Sequence, residues 1–190
     1  MKERSAYSFA AVLLLLAAGV PARTSDVEHQ IPLVPEPKEV HLRDGGFRVG
    51  PNTRILVELG HQEEDRIAAE TLAEEIQDQS GLTVGIDGTR AGAGHQGNTI
   101  VLARLQDRSM RRFFASRGLK PEPIGDQGYV LFSDRSHLVV AAYTGEGLFS
   151  GVQTLRQLLR QEGKNLICPA VAIRDWPGLD PHGATSGFSL

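Results

Sequence analysis

Cysteine is almost absent: Cys168 is the only one in 190 residues. A lone thiol forms no internal disulfide, and it excludes four-Cys and Cys/His zinc frameworks. Aromatic residues are scarce at 6%, which leaves little material for stacking rings on sugars. Neither charge dominates. A formal net charge of -3 gives no reason to expect nucleic acid or acidic lipid as a partner. No G-x-S-x-G occurs, so a hydrolase nucleophile elbow is unsupported. His29, His41, His61, His95, His137 and His182 include no i, i+3 or i+4 pair, so no helix presents two imidazoles to a metal. The expectation is no metal and no cofactor. What is present, 41% hydrophobic and 23% charged residues, is ordinary for a soluble globular domain. The length suits one domain.

The start of the chain reads differently from the rest. Lys2 and Arg4 precede an apolar run from Ala6 to Val20, which includes Leu13, Leu14, Leu15 and Leu16. The run falls short of the roughly 20 residues a spanning helix needs. Val20-Pro21-Ala22 places small residues where a signal peptidase reads them. Residues 1–22 are therefore expected to be a signal peptide cut after Ala22. The mature chain is then secreted or periplasmic, with no membrane contact after cleavage. An exported chain with one cysteine must hold its core without crosslinks.

Beyond the signal, Pro32, Pro35 and Pro37 mark residues 23–38 as an extended lead-in. Val40 and Leu42 alternate as a half-buried strand, Asp44-Gly45-Gly46 reads as a turn, and Phe47 and Val49 open a second short strand. Residues 54–58 read as a third strand. Residues 62–80 switch to a helical period, with Ile67, Leu72 and Ile76 as the stripe and Gly81 as the stop. Leu82 to Ile86 and Thr99 to Ala103 read as strands. Between 106 and 120 the pattern is ambiguous, although Met110, Phe113 and Phe114 fit a short helix on the sheet. Tyr129–Phe132 and His137–Ala141 flank a turn and read as a hairpin. Thr144 can cap a helix from about Glu146 to Gln161, with Leu148, Val152, Leu155, Leu158 and Leu159 on its apolar face. Val171 and Ile173 form a last strand. Strands and helices mix without strict alternation. The expected class is α+β: a mixed sheet with two main helices on one face, and the other face left partly apolar.

The chemistry-bearing candidates are weak. Gly92-Ala-Gly94-His-Gln-Gly97 matches G-x-G-x-x-G, but a β pattern follows where a dinucleotide site needs a helix. It reads as a surface loop. Glu63/Glu64 and Glu74/Glu75 lie on the polar side of a helix, and Asp175/Asp180 near the end of the chain. Cys168 reads as a buried structural thiol. Composition and spacing alone give no catalytic residue.

One motif is specific. Gly147-Leu-Phe149, Gly151 and Gln153-Thr-Leu-Arg-Gln-Leu-Leu159, following the Gly128-Tyr129 strand and its hairpin, resemble the N-terminal domain of family 20 β-N-acetylhexosaminidases. The opening Ile31-Pro-Leu-Val-Pro-Glu-Pro37 is similar too, and the resemblance covers roughly residues 31–177. Packing accounts for the motif without chemistry. Gly147 and Gly151, one turn apart, let the helix lie close on a neighbour, while Gln153 and Gln157 can bond backbone at its edge.

The resemblance implies a non-catalytic accessory domain over 39–173 whose partner is its own catalytic (β/α)₈ barrel. That barrel hydrolyses terminal β-linked N-acetylhexosamine through an acid Glu, with an Asp orienting the substrate's own acetamide. Ile173-Arg-Asp-Trp-Pro177 is similar to the entry into the barrel, so 174–190 would be the start of a missing or truncated one. His182 stands where the family has a sugar-binding arginine, and is a weak substrate-binding candidate. Residues 187–190 depart from the family. A barrel needs at least ~200 further residues, so this chain alone is expected to be inactive. Alternatives are a freestanding secreted carbohydrate-binding or interaction module, or the accessory domain of a related family 84 or α-glucuronidase enzyme.

Overall fold

The structure, a computed structural model, describes residues 31–90 and 98–178. The expected signal segment, the Gly92–Gly97 motif, Asp180 and His182 lie outside the described residues. The elements in order are β1 (Glu39–Val49), β2 (Arg54–Glu58), α1 (Gln62–Ser80), β3 (Gly85–Thr89), β4 (Thr99–Arg104) and α2 (Arg108–Ala115). They continue as β5 (Tyr129–Ser133), β6 (Leu138–Ala142), α3 (Gly145–Leu158), β7 (Arg160–Glu162) and β8 (Asn165–Asp175).

All eight strands join one sheet in the order β1-β8-β5-β6-β4-β2-β3, with β7 pairing β8 beside that path. β3, β2, β4 and β6 run parallel. The β6, β5, β8, β1 half is antiparallel. The class is α+β with a mixed sheet, as the sequence implied.

Side chains alternate across the strands and build two separate cores. On one face α1 and α3 cover Ile55, Ile100, Leu102, Leu131, Leu138 and Val140. Helix α1 ends where Gly81 takes the left-handed conformation (φ 71°) and donates its N–H to the Gln77 carbonyl. Thr144 caps α3, its hydroxyl accepting from the Gly147 N–H at 3.2 Å. The opposite face is not left bare. Met110 and Phe114 of α2, with Leu119 and Ile124, bury Val101, Val130, Phe132, Val139 and Ala141.

Several local expectations need correction. Residues 39–49 form one strand rather than two. The glycines expected to turn the chain instead absorb a bulge, with the register against β8 shifting between Leu42 and Gly46. A Cβ on Gly46 would lie 2.6 Å from the Cys168 carbonyl oxygen, so the close strand approach requires glycine there. Ile67 is 62% exposed, because it lies at neither three- nor four-residue spacing from Leu72. The buried stripe of α1 is Asp65, Ala68, Ala69, Leu72 and Ile76. The strand near residue 84 starts later, at Gly85. Helix α3 stops at Leu158, since Arg160–Glu162 pair with the start of β8, which extends well upstream of Val171.

Candidate functional site

The motif helix α3 lies against the sheet through its glycines. A Cβ on Gly147 would lie 2.5 Å from the Gly128 carbonyl oxygen and 2.8 Å from that of Asp126. On Gly151 it would lie 2.5 Å from a Val140 methyl and 3.0 Å from the Tyr129 ring. Leu148 and Leu155 are fully buried. The motif is thus a close-packing device, and its outer edge forms one wall of a groove.

That groove, an open hollow of about 490 Å³, lies between α3, the lead-in at residues 34–38 and the exit from β8. Gln157 fixes the lead-in to the helix: its side-chain oxygen accepts from the Val34 N–H at 2.8 Å, and its amide donates to the Val34 carbonyl at 3.0 Å. Gln153 accepts instead from Arg156 at 2.9 Å, so only Gln157 bridges to the lead-in backbone. Asp175 accepts from the Lys38 N–H at 3.2 Å, tying the exit to the lead-in. Val34 and Phe149 are exposed at the rim. Trp176 forms part of the lining, and the Arg174 guanidinium lies 4.6 Å from its ring centre. Tyr129 closes the floor, its hydroxyl 2.6 Å from that of Thr154. Burial pushes the phenol well above its ordinary value, which keeps it protonated. The groove therefore combines an apolar rim with neutral polar groups and the charged Glu36, Lys38 and Asp175, a mixed surface suited to contact.

A buried charge cluster lies elsewhere, at the end of β4. Arg104 is 3% exposed and donates to both oxygens of fully buried Asp65, at 3.0 and 2.6 Å, and to Glu64 at 2.7 Å. Its backbone N–H donates to buried Glu58 at 2.8 Å, and its guanidinium also reaches the Tyr143 carbonyl. These carboxylates hold an arginine and join the first turn of α1 to β2, β4 and the β6–α3 turn. In the sequence Asp65 stands with Glu63 and Glu64 in the first turn of α1, where carboxylates suit the positive end of the helix dipole. Its position within the buried stripe, four residues before Ala69, was the available signal.

The remaining candidates scatter. Glu75 meets Arg156 at 2.6 Å and ties α1 to α3. Glu63 and Glu74 are exposed. His41 is exposed, His61 sits at the N-cap of α1 without a side-chain cap bond, and His137 pairs with Asp134 at 3.0 Å. Among the described residues no cluster of His, Cys, Asp or Glu could hold a metal. Cys168 is buried in β8, and burial pushes its thiol up to about 12, as expected of a structural thiol. Among the described residues no helix is long and apolar enough to cross a membrane.

The fold and groove define an α+β module organised for packing and contact. The family model described as "Glycosyl hydrolase family 20, domain 2" matches residues 30–176. The chain belongs to glycosyl hydrolase family 20 and carries that family's domain 2. A β-hexosaminidase of Porphyromonas gingivalis (strain ATCC BAA-308 / W83) is 27% identical over 160 residues, covering 80% of this chain and 18% of that protein. The solved family 20 β-N-acetylhexosaminidase of Streptomyces coelicolor A3(2) is 29% identical with a TM-score of 0.57, over 76% of this chain and 26% of that one. The Streptomyces plicatus N-acetyl-β-hexosaminidase, solved in complex with Thio-NAglucal, is 27% identical with a TM-score of 0.56, over 77% and 26%. The chain thus spans about a fifth to a quarter of these relatives' length.

Proposed function

We propose that this chain is the accessory domain of a secreted β-N-acetylhexosaminidase, seating the catalytic barrel rather than turning over substrate itself. The carrying observation is the place of the groove. Its walls are the motif helix and the β8 exit at Asp175–Gly178, so polypeptide continuing from Gly178 starts at that surface. Among the described residues, Glu58, Glu64 and Asp65 gather on Arg104 rather than around an open cleft. Secretion rests on the signal pattern of residues 1–22, and predicts an exported product beginning at Arg23.

The direct test assays the purified mature chain against an aryl N-acetyl-β-glucosaminide. The expected result is no turnover. Hydrolysis that copurifies with the chain and disappears on replacing one of its carboxylates would overturn the reading. Sequencing the DNA beyond codon 190 tests the parentage independently, by the presence of a barrel with an adjacent Asp-Glu pair.

A further inference from the structure

The face covered by α2 holds arginines of a different kind from Arg104. Arg43 lies in the β1 bulge, and a bulge re-aims the side chains it carries. Its guanidinium carbon is 5.4 Å from the centre of the Phe132 ring, and its Nη2 donates to the Arg117 carbonyl at 3.3 Å. Arg117 follows α2. Its guanidinium carbon is 3.6 Å from the centre of Phe113 and 5.1 Å from that of Phe132. The two rings meet edge to face, 5.8 Å apart at 85°. Arg135, in the β5–β6 turn, reaches the same edge: its Nε is 2.9 Å from where a Cβ on Gly45 would stand. Arg43 and Arg117 therefore meet over one aromatic pair from separate segments, and Arg135 lies beside Gly45 of the same strand as Arg43.

Their charge is not balanced in place. Arg54, Arg66, Arg104, Arg156 and Arg174 each meet a carboxylate. Among the described residues no such ion pair involves Arg43, Arg117 or Arg135. Asp134 is the acid that acts on Arg117, but it already accepts from the N–H groups of Ser136 and His137 at 2.7 Å and from the His137 ring at 3.0 Å. Burial lowers the proton affinity of Arg117, Asp134 restores part of it, and the neighbouring Arg43 lowers it again. Like charges held on one aromatic pair are relieved by an anion that bridges them. The planar fork of guanidinium donors suits a carboxylate, sulfate or phosphate. The rings are already covered by the guanidiniums, so recognition here runs through charge and not through stacking on a sugar face.

We propose that Arg43, Arg117 and Arg135 form an oxyanion-binding site, taking a sulfate, phosphate or carboxylate group that is either free or carried on an acidic glycan. It is independent of the groove and of the accessory-domain reading.

The test titrates inorganic sulfate into the mature chain, at constant ionic strength against chloride, and follows the arginine Nε–Hε NMR signals. Saturable shifts are expected in the wild type. Arg43 is exposed, so its variants should fold, and circular dichroism checks that they do. Arg43→Gln should weaken sulfate binding about ten-fold, as for loss of a charged hydrogen bond. Arg43→Glu supplies a carboxylate internally, so it should abolish the saturable response and raise the melting temperature in sulfate-free buffer. Shifts that stay linear in sulfate, or an Arg43→Gln affinity within about two-fold of wild type, would overturn the site. A sulfated oligosaccharide binding more tightly than inorganic sulfate, with its desulfated backbone silent, assigns the group to a glycan. Equal affinity of the sulfated sugar and the free ion assigns it to the ion, and either result supports the site.

Discussion

Both faces of the sheet bury aliphatic strand residues, but they treat arginine in opposite ways. Under α1 and α3, Arg104 is wrapped by Glu58, Glu64 and Asp65 and is sealed from water. Under α2, Arg43 and Arg117 lie over Phe132 and Phe113 with no carboxylate attached. The covering helices differ in the same sense. Helix α3 approaches the strands so closely that backbone carbonyls and a valine methyl fill the space of two absent Cβ atoms. Helix α2 stands off on aromatic side chains. The first face is specified by fit and internal neutralisation. The second keeps unspent charge, which is why a binding site is inferred there.

The largest effect should come from Arg104→Met. Removing the cation leaves Asp65 buried and unpaired, and a broken buried pair costs about 3–5 kcal/mol. Urea denaturation measures it, and a cost near zero would erase the claimed contrast between the faces. Gly147→Ala comes next. The added methyl meets carbonyl oxygens that cannot move aside cheaply, so a loss of ~1–3 kcal/mol is expected. Gly151→Leu should lose a similar ~1–3 kcal/mol by overpacking against Val140 and Tyr129. A stabilised Gly151→Leu would remove the packing account of the motif.

On the α2 side, Gly118 has φ 79° and open space around its missing Cβ. Gly118→Ala should therefore cost about 1–2 kcal/mol from conformation alone, and Gly118→Asn less, since Asn tolerates that region. Equal losses for Ala and Asn there would point to crowding and blur the distinction. The smallest effect is one of pH. The Gln79 amide, with Arg156 adding to it, holds the Glu75 carboxyl below its ordinary value against the opposing effect of burial. A depressed folded value contributes stability above the unfolded carboxylate range, which is lost as pH falls through the folded value. Glu75→Gln should flatten that acid limb, read as melting temperature between roughly pH 3 and 5.

Much of the domain was legible along the chain, and the illegible parts share a cause. Helix α1 matched its bounds because capping and period are local: acids in the first turn, a repeat near 3.6 and a terminal glycine. The β5–β6 hairpin and the start of α3 were readable for the same reason. The single long β1 was not, because a bulge and a turn both use glycine, and only pairing with β8 decides between them. The end of α3 depended on β7 adding to β8. The role of Phe113 and Phe114 depended on which face α2 would cover.

The candidate site divides in the same way. The sequence by itself determined the class, the specific helix motif and the family resemblance, since these rest on residue type and spacing within a few turns. The tertiary structure alone decided that Asp65 lies inside with Arg104, that Gln157 holds Val34, and that Arg43 and Arg117 meet over Phe132. Those partners are tens of residues apart in the chain. Charge pairing and close approach depend on distance in space, which local sequence does not record until the sheet order is set.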